Sequence, residues 1–396
     1  MRRALPARTL AKEDVMKREE MRTCGAPVGR AIGFAAALLV LALGLVACGP
    51  AEKPTMSLMA FAGYAEESWV KPFEEKYNCT VKINYAGTVD EMFAKVKAAP
   101  NEYNIVSIDP GRIPMYNGAG LLQPVDAKKL ANYTKMGAFF REHPYNKLLG
   151  GATLHIPIVW GTQTITVNTA KVPAAKLAKY VDKDAKTISL DIFTAPEFKG
   201  QTAFFDESTN VNGVAACALG IEDPFNFAEG DWQSVSDLLY KWKKNARTLT
   251  SGLDSEFSVL TSEDAFFVLG GNDALLNLKL EEAGVRKDFT QYAPAPGTIC
   301  WIDGWVITKP TKGKSLDLAY KYIDMMIGDQ VQGELAKLIG YGIVNPAGGG
   351  GFSQVVKDSC FWYEDIKSFP SKLFIMMPEE DAARRVELWT KVKATP

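Results

Sequence analysis

Histidine is nearly absent from this chain: His143 and His155 are the only two in 396 residues. There is no HExxH, no GxSxG and no Cys/His cluster at metal-ligand spacing. The arrangements on which zinc hydrolases and serine hydrolases depend are therefore missing. His155 lies inside an apolar run and reads as structural. Cysteines are sparse too, six in all, with no CxxC and no regular spacing, so neither a metal site nor a disulfide framework is indicated. Cys79, Cys217, Cys300 and Cys360 read as small buried hydrophobes. No charge of one sign dominates, with 45 Lys/Arg against 46 Asp/Glu. Without residues 1–48 the balance is 37 against 42, a net of −5. That mild acidity argues against nucleic acid or an anionic membrane surface as the main partner. "KGKS" (312–315) has Thr308 where a phosphate loop needs glycine, and reads instead as a helix cap with Ser315 at the N-cap. No cofactor fingerprint and no nucleophile–base pairing remain.

What is present begins with "RAIGFAAALLVLALGLVACGP" (30–50), a basic flank, an apolar run from Ala31 to Ala47, and then Cys48. The run is shorter than the roughly 20 apolar residues of a spanning helix and reads as a secretory signal over 1–47. Leu45-Val46-Ala47-Cys48 resembles the lipobox of bacterial lipoproteins. That resemblance implies cleavage after Ala47 and a diacylglyceryl group on the Cys48 thiol. The protein would then be anchored to a bacterial membrane, facing the periplasm or the cell exterior. A plain uncleaved anchor is the competing reading. The basic flank is long, and Met21 offers an alternative start. Residues 48–55 read as the lipidated cysteine and a short tether.

Beyond the tether the periodicity alternates between two and 3.6. "MSLMAFAG" (56–63), "CTVKINYAG" (79–87) and "YNIVSID" (103–109) read as strands. Helical spacing separates them at Trp69, Phe73 and Tyr77, and again at Val89, Met92, Phe93 and Val96. Pro72 predicts a late start or a kink in the first helix. This β-α-β-α-β rhythm predicts an α/β domain with a parallel-type sheet, whose strand ends host ligands. "GGATLHIPIVWGTQTITVN" (150–168), broken by Pro157 and Gly161, is long enough to leave one domain and enter another. A second α/β rhythm follows, with strands at 201–207 and 262–271. "TICWIDGWVITK" (298–309) is the second candidate crossing.

That last stretch raises the central chemical question. Asp303 sits in an aromatic, apolar strand with no basic residue nearer in sequence than Lys309. An unpaired buried carboxylate costs several kcal/mol, so a partner or a role is required. Alternation puts Trp301 on the same face. Asp206 and Glu207 end a strand of the second rhythm, and Asp109 ends one of the first. For Asp206 and Asp109, capping a helix is an equally weighted reading.

In order along the chain, "IPIVWGTQTITVN" (156–168), "PEFKG" (196–200), "FFDESTNV" (204–211), "CWIDGWVI" (300–307) and "IGYGIVNP" (339–346) resemble the spermidine/putrescine-binding group of ABC-transporter substrate-binding components. The resemblance runs from Met56 to Thr390. It implies a two-lobe periplasmic-binding-protein fold of type II, with crossing strands and a ligand cleft between the lobes. Residues 56–160 with 303–346 would form one lobe, and 161–302 with 347–396 the other. It further implies that Trp301 stacks on an alkyl chain while Asp303 pairs with an amine, and that Tyr341 belongs to the site. Glu207 matches the first of two lobe-two carboxylates, and the second falls on Asn210. The aromatic pair expected after the first strand falls near Gly63 and Glu66, with Tyr64 nearby. Asp109 replaces a small polar residue, and aromatic positions fall near Gly111 and Gly270, so much of the aromatic box is missing. The implied role is a non-enzymatic receptor that captures a cationic solute and delivers it to permease subunits. A second reading has Arg112 hold the carboxylate of an amino acid, opine or other zwitterion while Asp303 holds its amine, with Arg112 as a surface residue the competing view. A sensor lipoprotein and an enzyme on the same fold are further alternatives.

Overall fold

The computed structural model describes residues 52–86, 89–143, 151–271, 273–359 and 366–395. The segment read as a secretory signal, Met21, Cys48 and Cys360 lie outside them. The chain starts in one sheet with β1 (Thr55–Ala60), β2 (Thr80–Tyr85), β3 (Ile105–Ile108), β4 (Leu122–Gln123) and β5 (Ile156–Thr162). It continues in a second sheet with β6 (Thr164–Asn168), β7 (Val181–Asp182), β8 (Thr187–Ile188), β9 (Thr202–Phe205), β10 (Ala246–Thr250), β11 (Phe267–Gly270) and β12 (Phe289–Pro294). It then returns to the first through β13 (Thr298–Thr308), β14 (Gly342–Ile343) and β15 (Leu373–Ile375). The strand order is β14-β5-β13-β3-β1-β2 in the first sheet, with β4 and β15 also on β13. In the second it is β10-β9-β11-β6-β12-β8-β7. As the rhythm predicts, β1 is parallel to both β2 and β3.

Period-two alternation gives each sheet two buried faces. Leu58 and Ile105 face one core of the first sheet, while their neighbours Met59 and Val106 face another. In the second sheet Phe204 and Leu269 face one core, and Ala203 and Val268 the other. Helix α1 (Glu67–Tyr77) buries Trp69, Val70 and Phe73 on one face of the first sheet, and α2 (Val89–Ala98) buries Met92 and Val96 on the other. Pro72 does not delay it: the helix begins at Glu67 and passes through the proline, forfeiting one backbone bond. Cys79, Cys217 and Cys300 are buried free thiols.

The crossings are tighter than the sequence indicates. Pro157 and Gly161 lie inside β5, and the first crossing is the single residue Gln163. The second falls at residues 295–297, ahead of β13, so the "CWIDGW" strand belongs wholly to the first sheet. The two are tied together, because the Thr298 hydroxyl donates to the Gln163 carbonyl at 2.9 Å. After β15 the chain passes over again to α6 (Ala382–Lys393), which packs on α3 (Ser208–Ala218) and α4 (Asp231–Asn245) of the second sheet. Ser315 is not an N-cap. Helix α5 (Gly313–Met326) starts two residues earlier, and the Ser315 hydroxyl donates to the Thr55 carbonyl at 2.9 Å.

One irregularity positions the site. The pairing of β13 with β5 shifts register between Asp303 and Gly304, a β-bulge. Before it Cys300 and Ile302 face the main core of the first lobe; after it Trp305 and Ile307 do. The bulge therefore breaks the alternation along β13: Trp301, partly buried against that core, and Asp303 each keep an open face, while Trp305 is fully buried. Gly304 makes this possible, since a Cβ there would lie 2.3 Å from the Ile156 carbonyl oxygen. Gly304→Val is expected to lower stability by about 3 kcal/mol through forced displacement of β5. Urea denaturation measures this, and an unchanged midpoint would show that the bulge tolerates a side chain.

Candidate functional site

Trp301 and Asp303 open onto a cavity of about 420 Å³ between the two sheets. From the first lobe it is lined by Phe61, Tyr64, Trp301, Asp303 and Tyr341. Gln163 at the crossing and Phe205, Asn210, Gly271 and Leu275 from the second lobe face them. The indole of Trp301 lies over Gly161, where a Cβ would come within 2.1 Å of the ring. Tyr341 meets that indole edge-on, with ring centroids 4.8 Å apart and planes at 74°. The wall is thus an aromatic surface of packed rings, of the kind that takes an alkyl chain or an ammonium group.

The partner of Asp303 inside the protein is neither lysine nor arginine. The Tyr64 hydroxyl donates to Asp303 Oδ2 at 2.6 Å. The tight turn Phe61–Tyr64 at the end of β1 delivers it, with Gly63 at φ +90°, a conformation glycine takes freely. A neutral donor satisfies one lone pair without cancelling the charge. Burial accordingly pushes the Asp303 carboxyl up to about 7; the Tyr64 hydrogen bond opposes the shift and the charge of Asp109 adds to it. Burial and the nearby Asp303 push the Tyr64 phenol well above its usual value. Asp303 is thus a carboxyl whose full charge awaits a counter-ion.

The other carboxylates named from sequence sit elsewhere. Asp206 turns away from the cavity, taking the Trp389 indole N–H at 2.7 Å and the Lys393 ammonium at 2.9 Å, so it ties α6 to the end of β9. Glu207 is the N-cap of α3, with Oε1 and Oε2 accepting the backbone N–H groups of Thr209 at 3.2 Å and Asn210 at 2.8 Å. Asp109 caps the turn that follows β3, accepting from the Gly111 N–H at 2.8 Å. With Arg112, whose Nε lies 3.7 Å from Asp109 Oδ2, it lines a separate cavity of about 110 Å³ beside Thr209 and Glu379. Burial raises the Asp109, Glu207 and Glu379 carboxyls, and the Arg112 charge opposes the rise at all three. Arg112 is therefore neither a surface residue nor on the large cavity; it is engaged by carboxylates. Asn210 does line the large cavity, and its Oδ1 is buried with no hydrogen-bond partner.

Phe61, Phe205, Gln163 and Leu275 were not singled out in the sequence, nor was Glu379. Phe61 and Phe205 refill the aromatic surface from other positions, giving five rings around the cavity with Tyr64, Trp301 and Tyr341. Gln163 had a usable signal, since it stands where one strand run passes into the next. His155 is structural: it is fully buried, its Nε2 donates to the Ile108 carbonyl at 2.8 Å, and burial lowers its pKa to about 4. No described helix is long and apolar enough to cross a membrane.

Two α/β lobes joined by crossing strands, with a polar and aromatic cavity between them, define a protein of the two-lobe periplasmic-binding class. The TpPotD lipoprotein of Treponema pallidum has this fold, superposing with a TM-score of 0.71 over 86% of this chain and 100% of its own at 18% identity. The model of the bacterial extracellular solute-binding proteins matches residues 68–348, most of the sequence, and the chain belongs to that family. The putrescine/cadaverine-binding protein of Pseudomonas aeruginosa is 24% identical over 364 residues, covering 90% of this chain and 98% of that protein. The putrescine-binding periplasmic protein PotF of Escherichia coli is 24% identical over 377 residues, covering 91% and 96%.

The raised Asp303 carboxyl sets the sign of a pH effect. In the folded protein it binds its proton up to about pH 7, whereas an unfolded aspartate releases it near 3.9. Its contribution to stability is fully present below about pH 4 and is lost as pH rises through 7. Ligand-free protein is expected to lose up to about 1.4 kcal/mol per pH unit between pH 5 and 7 relative to Asp303→Asn. Denaturant curves of both proteins across that range measure the difference. Parallel stability profiles would show that Asp303 ionises normally.

Proposed function

We propose that this protein is the extracytoplasmic receptor of an ABC importer, and that it captures a small amine-bearing, polyamine-like solute between its lobes. The observation that carries the reading is a half-buried carboxyl, Asp303, held by a neutral hydroxyl on an aromatic wall. An ammonium placed there gains a charge-assisted hydrogen bond and a cation–π contact with Trp301, the latter worth about 0.5–2 kcal/mol. The names of the putrescine-binding relatives agree with this chemistry. Tyr341 and Tyr64 frame the amine, Phe205 and Asn210 approach from the other lobe, and a solute touching both sides stabilises the closed form that permease subunits would recognise. Binding proceeds without turnover. The zwitterion alternative loses support, because Arg112 lies among carboxylates off the large cavity. Cys48 carries the lipid that holds the receptor at the membrane.

Asp303→Asn is expected to keep the fold, because the amide oxygen still accepts from Tyr64. Amine affinity should fall by about 2–5 kcal/mol, the usual cost of truncating a buried charge pair. Calorimetric titration measures the loss, and an affinity for aliphatic amines unchanged by the substitution would remove Asp303 from the site. For the anchor, Cys48→Ala is expected to leave an unprocessed precursor. Normal processing and membrane partitioning of that variant would refute lipidation.

A further inference from the structure

The smaller cavity lies where the lobes meet, beside the third passage of the chain between them. The first lobe contributes Asp109 and Arg112, from the turn after β3. The second contributes Thr209, at the start of α3, and Glu379, just ahead of α6. Glu379 is held by its own lobe. Its Oε2 accepts from the Thr209 hydroxyl at 3.2 Å, and its Oε1 lies 3.6 Å from Nε of the buried Arg385. The neighbouring Pro378 and Glu380 are both bonded to Asn226 of the same lobe. Arg112 stands between the two sides. Its Nε is 3.7 Å from Asp109 in its own lobe, and its charge acts on Glu207 and Glu379 in the other. The Arg112 side chain is only 19% exposed, so salt screens these interactions little. With Arg112 present, the turn of the first lobe is neutral. Without it, Asp109 alone would face Glu207 and Glu379, and like charges repel. The Asp109 charge already acts on Glu207 in that sense.

We infer that Arg112 is the positioning residue of lobe closure: an ionic latch from the first lobe to Glu207 and Glu379 of the second, which touches no solute and favours the closed form before one arrives. This role rests on the proposed capture of a solute between the lobes and adds what sets the equilibrium that the solute meets. The large cavity is built from both lobes, so only the closed form presents Asp303 and Phe205 to one solute. When the closed form is a fraction of the free protein, the observed affinity is the intrinsic one reduced by that fraction. Arg112 lies off the large cavity, and its loss therefore weakens every solute by a common factor. The sign is diagnostic. By its field alone, a positive charge near a cation site opposes binding, so its removal would strengthen amine capture. The latch requires the reverse.

The test uses the protein as the cell processes it, comparing the unaltered chain with Arg112→Gln and Arg112→Lys. Small-angle neutron scattering in contrast-matched detergent reads the separation of the lobes. Ligand-free Arg112→Gln is expected to have the larger radius of gyration, and Arg112→Lys, which keeps the charge, to match the unaltered protein. In calorimetric titrations Arg112→Gln is expected to bind putrescine and n-butylamine about tenfold more weakly, with the ratio between them unchanged. Equal radii in the ligand-free proteins, or an affinity unchanged or raised in Arg112→Gln, would overturn the latch. A loss confined to one amine would make Arg112 a solute contact and overturn it too. If neither amine binds the unaltered protein, amine capture falls, and the scattering comparison, which needs no solute, still decides the latch. Glu379→Gln, whose amide oxygen still accepts from Thr209, removes the other half of the latch. The same expansion is expected of it, and it decides the matter should Arg112→Gln not fold.

Discussion

The site turns on a carboxyl group kept in the cleft by a hydrogen bond from a neutral hydroxyl. A salt bridge to lysine or arginine would have fixed the Asp303 charge and closed the position to any ligand. Leaving it with no partner would have cost several kcal/mol of desolvation and driven it to the protonated form. The Tyr64 hydroxyl at 2.6 Å lies between these limits: it orients the group and satisfies one lone pair while leaving the charge uncompensated. The features around it serve this arrangement. Gly63 turns Tyr64 into place, Gly304 permits the bulge next to Asp303, and Gly161 leaves room for the Trp301 ring.

The architecture was largely legible because it rests on periodicity. The β-α-β-α-β alternation from Met56 to Asp109 specified a parallel sheet, and β1, β2 and β3 form one. The carboxylate of "CWIDGW" was conspicuous for a physical reason, namely a charge inside an apolar strand. Its partner was not legible. A tyrosine 239 positions away leaves no mark at Asp303, and a search for compensating charge looks toward lysine and arginine. The bulge was hidden too, because simple alternation puts Trp301, Asp303 and Trp305 on one face where the structure divides them. Carboxylates at strand ends were easy to find and hard to assign. Asp206, Glu207 and Asp109 all read alike, yet one holds a C-terminal helix, one caps a helix, and one pairs with Arg112. The aromatic wall was underestimated because Phe61 and Phe205 occupy positions that a residue-by-residue match with relatives does not examine.

The ionisable groups fall into two compartments. Arg112 lines the smaller cavity with Asp109 and Glu379, and the charge of Asp109 reaches Asp303. Among the described lining residues of the large cavity Asp303 is the one carboxylate, set against five aromatic rings. Relatives whose names specify putrescine share about a quarter of the residues with this chain.

The central claim is that Asp303 is poised near neutrality until a cation displaces its proton. Proton exchange on binding tests this directly, by calorimetric titration of an aliphatic amine at pH 7 in buffers of different ionisation enthalpy. With the free carboxyl titrating near 7 and the bound one fully ionised, about half a proton should be released per amine bound. That release should vanish at pH 9. No net release at pH 7, with binding intact, would mean that the carboxylate is already charged before the solute arrives.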